Sequence, residues 1–153
     1  MPAEKRFKIT PAVYLVLTKG DKILLLRRYN TGHHDGEYGL VSGHFEGNET
    51  VKQAMAREAR EEAGIIISPA DLEIVHIMNR YLKENSPGRE ERFDIFFKAD
   101  RWQGEPINQE PDKCDELAWF NLDDLPDNVI PCIRQVINCL DKSVLYSEWG
   151  WER

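Results

Sequence analysis

The chain has 153 residues, of which 41% are hydrophobic and 31% are charged, and its formal net charge is −7. This composition is typical of a globular protein, and the length predicts a single domain over residues 1–153 with one sizeable core. The acidic balance argues against a protein that binds a nucleic-acid polymer or a membrane surface, because both require a basic face.

Targeting signals and a disulfide framework are not apparent in the sequence. No apolar run approaches the roughly 20 residues that cross a bilayer, and the polar N-terminus lacks the apolar segment of a signal peptide. The 3 cysteines show no C-x-x-C spacing, so they predict no disulfide framework. We therefore expect a reduced, cytoplasmic protein.

The predicted elements alternate between strands and helices. In chain order, strands are predicted over residues 12–18, 22–28, 39–41, 72–82, 92–99 and 116–122, and helices over residues 51–63 and 131–140. The turn at residues 19–21 predicts that the first two strands form a hairpin, and residues 84–88 predict a second turn. Thr50 and Gln53 form the capping box that begins the first helix, and Gly64 ends it. This order predicts an α+β fold with helices packed on a sheet.

Three glutamates follow one side of the first predicted helix. At about 100° per residue, Glu58, Glu61 and Glu62 fall within an arc of about 100°. Carboxylates this close repel one another, and a hard divalent cation such as Mg²⁺, Mn²⁺ or Ca²⁺ would offset that repulsion. A charge run on a helix is more often a solvated face. Here, however, the same side continues into Val51 and Ala54, which indicates that the carboxylates line the rim of a cleft.

Residues 43–65 resemble the Nudix box, Gly-x5-Glu-x7-Arg-Glu-apolar-x-Glu-Glu-x-Gly-apolar. The defined positions of that pattern are filled by Gly43, Glu49, Arg57, Glu58, Ala59, Glu61, Glu62, Gly64 and Ile65. The resemblance implies a Nudix fold, an α/β/α sandwich in which a mixed β-sheet lies between helices and the box forms a loop–helix–loop. Many relatives have Pro-Gly-Gly where this chain has Val41-Ser42-Gly43, so we expect a different loop backbone before the helix.

The resemblance also assigns roles to the polar residues of the box. Glu58 and Glu62 are the implied metal ligands, with Glu61 and the carbonyl of Gly43 completing the set. The implied cofactor is Mg²⁺, with Mn²⁺ as a substitute. Arg57 is expected to orient the carboxylates. The general base is expected to be Glu110 or, as the competing assignment, Glu58 or Glu61.

Two further glutamates flank the box helix. Glu110 lies in the polar loop 107–113, which resembles the segment that carries an additional catalytic or metal-binding Glu in the MutT branch of the family. The alternative is an ordinary solvated side chain. Glu49, just before the helix, is expected to support the preceding loop.

Candidates for substrate binding lie on both sides of the box. Strand alternation lets at most one of Arg27 and Arg28 face the cleft, where it would meet substrate phosphate. Glu46, in the loop before the helix, is a further candidate for substrate binding. Asp127 and Asn128 resemble the place where some purine-triphosphate relatives bind the base, and a helix cap explains them equally well.

Histidines and cysteines complete the set of candidate residues. Three histidines lie near the box loop: His33, His34 and His44. No Cys or carboxylate joins them at the spacing of a zinc site, which favours a phosphate rim or a surface loop. His76, in a strand, and Cys132 and Cys139, on one face of the second helix, are expected to pack in the core.

The resemblance implies a metal-dependent hydrolase that cleaves a nucleoside diphosphate linked to another moiety. The favoured substrate is a nucleoside triphosphate, cleaved to a monophosphate and pyrophosphate. Tyr81 lies roughly where dinucleoside polyphosphate hydrolases carry a Tyr, so that activity is an alternative. A nucleotide-sensing domain without catalysis is another, although such domains usually lose box glutamates. The expected partner is a small nucleotide, and a homodimer is compatible with the sequence.

Overall fold

The computed structural model describes residues 5–82 and 90–151, so the turn predicted at 84–88 lies outside the described residues. In chain order the strands are β1 (Thr10–Val16), β2 (Thr18–Lys19), β3 (Lys22–Arg28), β4 (Tyr38–Gly39), β5 (Val41–His44), β6 (Leu72–Leu82), β7 (Glu90–Ala99), β8 (Cys114–Asn121) and β9 (Tyr146–Trp149), and the helices are α1 (Val51–Ala63) and α2 (Pro131–Leu140). Both helices have the predicted bounds.

The strands form two sheets. The larger sheet has the order β5-β1-β7-β6-β9 and is mixed, because β1 pairs in parallel with β7, and β6 with β9, while its other pairs are antiparallel. In the smaller, antiparallel sheet β3 pairs with β2, β4 and β8. The box begins at an edge of the larger sheet, since the edge strand β5 contains residues 41–44.

The two helices cover opposite faces of the larger sheet. On one face Val13 and Phe97 pack with the buried side of α1, and on the other face Phe96 and Met78 pack with α2. Neighbouring residues such as Phe96 and Phe97 enter different clusters because successive side chains of a strand point to opposite faces. This is an α/β/α sandwich with a mixed sheet between helices, as the sequence predicts.

The first predicted hairpin forms only at its tip, where β2 pairs with β3 across the turn, whereas the rest of the first predicted strand pairs elsewhere. The chain turns at residues 19–21, but β1 joins the larger sheet while β3 joins the smaller one. Leu17, which is fully buried, marks the crossing from one sheet to the other. Both strands are apolar on both faces, so their pattern specifies burial without specifying a partner.

None of the helices in the described ranges combines the length and the apolar character needed to cross a bilayer. All three cysteines are free thiols, and Cys132 is buried against the sheet in the cluster that includes α2, whereas Cys139 is half-buried.

The C-terminal segment, which the sequence left unassigned, returns to the larger sheet as β9 and is held there by a buried histidine. His76 of β6 is fully buried. Its Nδ1 lies 2.7 Å from the carbonyl of Val144, and its Nε2 lies 2.7 Å from the Ser147 hydroxyl. Because a carbonyl can only accept, Nδ1–H donates to Val144, and Nε2 pairs with the Ser147 hydroxyl. The expected core histidine therefore also fixes the C-terminal strand.

We expect Ser147→Ala to destabilise the protein by about 1–3 kcal/mol, because it leaves Nε2 of His76 buried without a partner. The change should also increase amide hydrogen exchange across β9. Ser68→Ala is the matched control, since Ser68 is exposed and its side chain makes no helix-cap bond. Equal stability of the two variants in urea unfolding would contradict the assigned role of His76.

Candidate active site

The box residues meet in an acidic cleft at the edge of the larger sheet. The cleft has a volume of about 500 Å³ and runs between β5, α1 and the loop before β8. Five glutamates line it, three from α1 and one from each of the loops on either side: Glu58, Glu61 and Glu62, with Glu46 and Glu110.

The caps of α1 explain why these carboxylates stand where they do. Thr50 accepts a bond from the backbone N–H of Gln53, and the Gln53 side chain accepts from the N–H of Thr50, so the predicted capping box is present. Gly64 ends the helix in the left-handed region at φ 68°. Beyond it, the N–H groups of Ile107 and Gln109 bond to the last helix carbonyls, those of Ala63 and Glu62. These bonds hold the loop that carries Glu110 against the end of the box helix.

Arg57 contacts four glutamates in and beside the acidic cleft. Its guanidinium donates to both carboxylate oxygens of Glu49, at 3.0 and 2.9 Å, and to Glu58 at 2.8 Å. It also contacts Glu61 at 3.2 Å and the exposed Glu46 at 3.3 Å. The hydrogen bonds from Arg57 lower the pKa of Glu49, and those to Glu49 and Glu58 raise the pKa of Arg57 despite its burial. The expected positioning role of Arg57 agrees with this geometry.

Glu49 supports the loop before α1, as expected. In addition to its two bonds from Arg57, it accepts the backbone N–H of Glu46 at 2.9 Å. The same guanidinium donates to the carbonyl of His44 at 3.0 Å. The helix and the end of β5 are therefore joined through one charged pair.

The backbone of β5 lies directly against the two candidate metal ligands. The N–H of Ser42 donates to Glu62 at 3.1 Å. A Cβ atom at Gly43 would overlap the carboxylate of Glu58, so only glycine leaves room for that carboxylate. Ser42 does not belong to the residues with positive φ in the described chain, so the departure from Pro-Gly-Gly introduces no strain of that kind.

Burial disfavours the charged forms of these carboxylates unless a counter-charge lies nearby. Desolvation raises the pKa of Glu62 to about 8, and the nearby charges of Glu58 and Glu110 add to the effect. Desolvation also raises the pKa of Glu58, although Arg57 opposes it. A divalent cation would stabilise the charged forms.

The donor set fits a hard divalent cation, since every candidate ligand atom is an oxygen. Within residues 5–82 and 90–151, no three Asp, Glu, His or Cys side chains are already gathered as a metal site. The contacts of Arg57 with Glu58 and Glu61 explain this, because the guanidinium attracts two of the carboxylates to itself.

A second, smaller cavity opens beside the acidic cleft and is lined by cations. Its volume is about 200 Å³, and it shares Arg28, Ser42 and Gly43 with the cleft. Arg80 and Arg92 form its inner wall. Positive charge thus lies next to negative charge along one continuous surface.

Arg28 is the member of the predicted arginine pair that faces this surface. Its Nε donates to the carbonyl of His33 at 2.7 Å, and its Nη2 lies 3.2 Å from the hydroxyl of Thr31. The loop that follows β3 is itself closed by Asp35, which accepts bonds from the N–H groups of Thr31 and Gly32. These contacts bring His33 and His34 to the rim of the cationic cavity, and His44 lines both the cavity and the cleft.

The inner wall of this cavity is a buried network that the sequence did not reveal as a site. Arg80 donates to Asp94 at 2.6 Å and to the Tyr14 hydroxyl at 3.0 Å. Arg92 lies 3.5 Å from Asp94, and its Nε is buried without a hydrogen bond. Burial, with the charge of Asp94, raises the pKa of Tyr14 to about 12. The available signal was the occurrence of charged residues in otherwise apolar strands, which is rare unless they are paired.

Three of the predicted substrate-binding residues are not brought to the cleft. Arg27 points to the other face of β3, where it donates to Asp115 at 2.7 Å and lies over the ring of Tyr38. Asn128 donates to the carbonyl of Gly36 at 2.7 Å, and Asp127 lines a separate depression beside α2. Neither caps α2, since its N-cap residue is Ile130 without a side-chain bond.

A family model described as the NUDIX domain matches residues 8–138. The chain belongs to the Nudix family. The chain is 31% identical over 119 residues to the NAD-capped RNA hydrolase NudC of Pseudomonas aeruginosa (strain LESB58), covering 78% of this chain and 38% of that protein. With the NudC of Stutzerimonas stutzeri (strain A1501) the identity is 29%, with coverages of 78% and 39%. The chain therefore spans about two fifths of the length of these curated relatives.

Solved structures of Nudix hydrolases share the fold. The MutT NUDIX hydrolase of Burkholderia pseudomallei superposes with a TM-score of 0.77 at 26% identity, over 86% of this chain and 98% of that one. The MutT protein of Methanosarcina mazei Go1 gives a TM-score of 0.72 at 21% identity, over 91% and 97%. The second likeness shows the fold alone.

We expect Glu62→Gln to stabilise the metal-free protein at pH 8 by a few kcal/mol and to have little effect at pH 5. In the unfolded chain the carboxyl ionises near its ordinary pKa of 4.5, whereas the folded chain retains the proton up to about pH 8. Between these values the folded state binds more protons, so the wild-type free energy of unfolding falls as pH rises.

Urea unfolding at both pH values in excess chelator measures this difference. Glu105→Gln, at an exposed ion pair with Lys19, is the control and should show no such pH dependence. The raised pKa would be contradicted if the difference in unfolding free energy between the wild-type protein and Glu62→Gln were the same at both pH values.

Proposed function

We propose that this Nudix hydrolase cleaves the phosphoanhydride of a nucleoside triphosphate, giving a monophosphate and pyrophosphate, with Mg²⁺ as cofactor and Mn²⁺ as a substitute. The observation that carries the proposal is the direct contact between the acidic cleft and the cationic cavity, which share Arg28, Ser42 and Gly43. A polyphosphate needs both surfaces, because part of its charge is met by a cation on carboxylates and part by arginine.

We assign a separate role in the reaction to each residue of the cleft. Glu58 and Glu62 would hold the cation, with Glu61 and the carbonyl of Gly43 completing its ligands. When bound, the cation neutralises charge on the phosphates and acidifies the attacking water. Arg57 keeps the carboxylates oriented through its bonds to Glu58 and Glu61.

The remaining groups of this surface provide candidates for phosphate binding and for the general base. Arg28, which lines both cavities, would bind a phosphate oxygen at their junction, and the exposed Glu46 lines the cleft. Glu58, Glu61 and Glu110 all line the cleft, so each is a candidate to take the proton of the attacking water.

A dinucleotide is the second candidate substrate. The similarity to proteins named NAD-capped RNA hydrolases favours it, as does Tyr81, which lies beside the cationic cavity next to Arg80. A non-catalytic nucleotide sensor is less favoured, because every glutamate of the box is present.

We expect a chromatographic screen for nucleotide products over nucleoside triphosphates, dinucleoside polyphosphates and NAD⁺ to show turnover with Mg²⁺ or Mn²⁺ and much less with Ca²⁺. Ca²⁺ accepts looser geometry and more ligands than the octahedral coordination of Mg²⁺. Excess chelator should abolish turnover, and added Mg²⁺ should restore it. Full activity in chelator would contradict the proposed metal dependence, and preference for a dinucleotide would replace the triphosphate with the second candidate.

In the same assay, Glu58→Gln should lower kcat by at least about 100-fold with the fold intact, because the neutral amide is a weaker metal ligand and no base. Glu73→Gln, at an exposed pair with Lys98, is the control and should keep wild-type turnover. Near-normal kcat in Glu58→Gln would remove Glu58 from the proposed mechanism.

Glu110→Gln separates the candidates for the general base. If Glu110 takes the proton or assists the metal, kcat should fall while the fold is retained, since the loop is held by backbone bonds that the substitution leaves in place. Values of kcat and KM within about two-fold of wild type, a difference of roughly 0.4 kcal/mol, would make Glu110 a bystander and leave the base on α1.

A further inference from the structure

An aromatic groove lies at the far side of the cationic cavity from the acidic cleft. It has a volume of about 800 Å³, and Tyr81, Trp149 and Trp151 form its aromatic walls. This volume lies within the range of pockets that enclose small organic ligands. Two of the three rings belong to the C-terminal segment, beyond residue 138, where the family match ends.

Contacts hold residues 146–151 of the C-terminal segment in place. Strand β9 pairs in parallel with β6, with Trp149 opposite Arg80. Gly150 then turns the chain at φ 81°, and a Cβ there would overlap the carbonyl of Tyr81. The indole N–H of Trp151 donates to the carbonyl of Asn79 at 3.0 Å. The walls of the groove are therefore set before any ligand arrives.

The ring of Trp151 also contacts a second aromatic ring. Its centroid lies 5.2 Å from that of Tyr81, with 42° between the ring planes. Tyr81 and Trp151 are each half-buried, so part of each ring faces the groove. Rings held in this way offer flat apolar surfaces at small entropic cost to the protein.

The groove, the cationic cavity and the acidic cleft form a linear series. The cavity shares Arg28 and Gly43 with the cleft, and it shares His33 and Arg80 with the groove. Among the described residues, none lines both the groove and the cleft. A ligand that spans the series meets carboxylates first, then arginines, then aromatic rings.

We propose that the aromatic groove binds the heteroaromatic ring of the nucleotide substrate, while its phosphates run through the cationic cavity to the acidic cleft. This inference rests on the proposed function and extends it. Only a molecule with a ring at one end and anionic groups at the other matches the whole series. Aromatic walls stack with any base, so the groove favours nucleotides over inorganic polyphosphates without fixing which base is preferred.

The test measures binding of reaction products, so it does not depend on turnover. Isothermal titration of the wild-type protein in Mg²⁺ compares AMP, GMP, CMP, UMP and nicotinamide mononucleotide with ribose 5-phosphate, which lacks the ring. At least one ring-bearing monophosphate should bind with a Kd at least about five-fold lower than that of ribose 5-phosphate. Equal affinities for all six compounds would overturn the inference without any variant.

Variants then locate the ring. Trp151→Ala should remove the advantage of the ring-bearing compound, and Trp151→Phe should retain most of it. Tyr146→Ala is the control, because Tyr146 is an exposed aromatic residue of β9 that does not line the groove and should leave the advantage unchanged. Should Trp151→Ala fail to fold, Tyr81→Ala replaces it. An advantage that survives loss of these rings would overturn the assignment.

The two proposals fail separately in these experiments. Ring-dependent binding without hydrolysis of any nucleotide would overturn the proposed function and support the groove as a nucleotide site. Hydrolysis with equal affinities for AMP and ribose 5-phosphate, and for the other monophosphates, would support the proposed function and overturn the groove.

Discussion

The candidate active site depends on one guanidinium. Arg57, whose side chain is 14% exposed, bonds to Glu49 and Glu58 and contacts Glu61. Without it, the carboxylates of α1 would face one another in a poorly solvated cleft, where like charges repel strongly. The same side chain bonds to the carbonyl of His44, so it also joins the helix to β5. The side chain of Arg57 therefore determines both the charge balance and the geometry of the site.

Two opposite electrostatic environments are maintained side by side by the sheet. Glu58 and Glu62 are reached from the end of β5, whereas Arg80 and Arg92 extend from β6 and β7 on the face that α2 covers. The strand backbones separate these groups, so the arginines do not neutralise the carboxylates directly. A polyphosphate requires this separation, because its charge is distributed along its length. The two helices then cover the apolar parts of both faces and leave the polar edge open.

The sequence predicted the parts of the structure that are encoded locally. The bounds of α1 follow from Thr50, Gln53 and Gly64, and the spacing of the glutamates places them on one side. The pairing of β1 was not predictable, because a strand that is apolar on both faces does not identify its neighbours. Strand alternation predicted that at most one of Arg27 and Arg28 faces the cleft. That this residue is Arg28 followed only from the structure, where Arg28 donates to the carbonyl of His33. The aromatic groove depends on β9 pairing with a strand far away in the chain.

The buried pair of Arg80 and Asp94 shows how one sheet face serves both folding and binding. Towards one end of this face, Phe96 and Met78 pack in the core with α2. Towards the other, Arg80 and Asp94 occupy a region where their side chains are 7% and 1% exposed. Apolar residues in such places often give equal or greater stability, since burial of an ion pair carries a large desolvation penalty. The charged end is therefore better explained by what it presents to the cavity than by what it adds to folding. The apolar half of the face holds α2 in position, and under the proposed function the polar half keeps cations available to an anionic ligand.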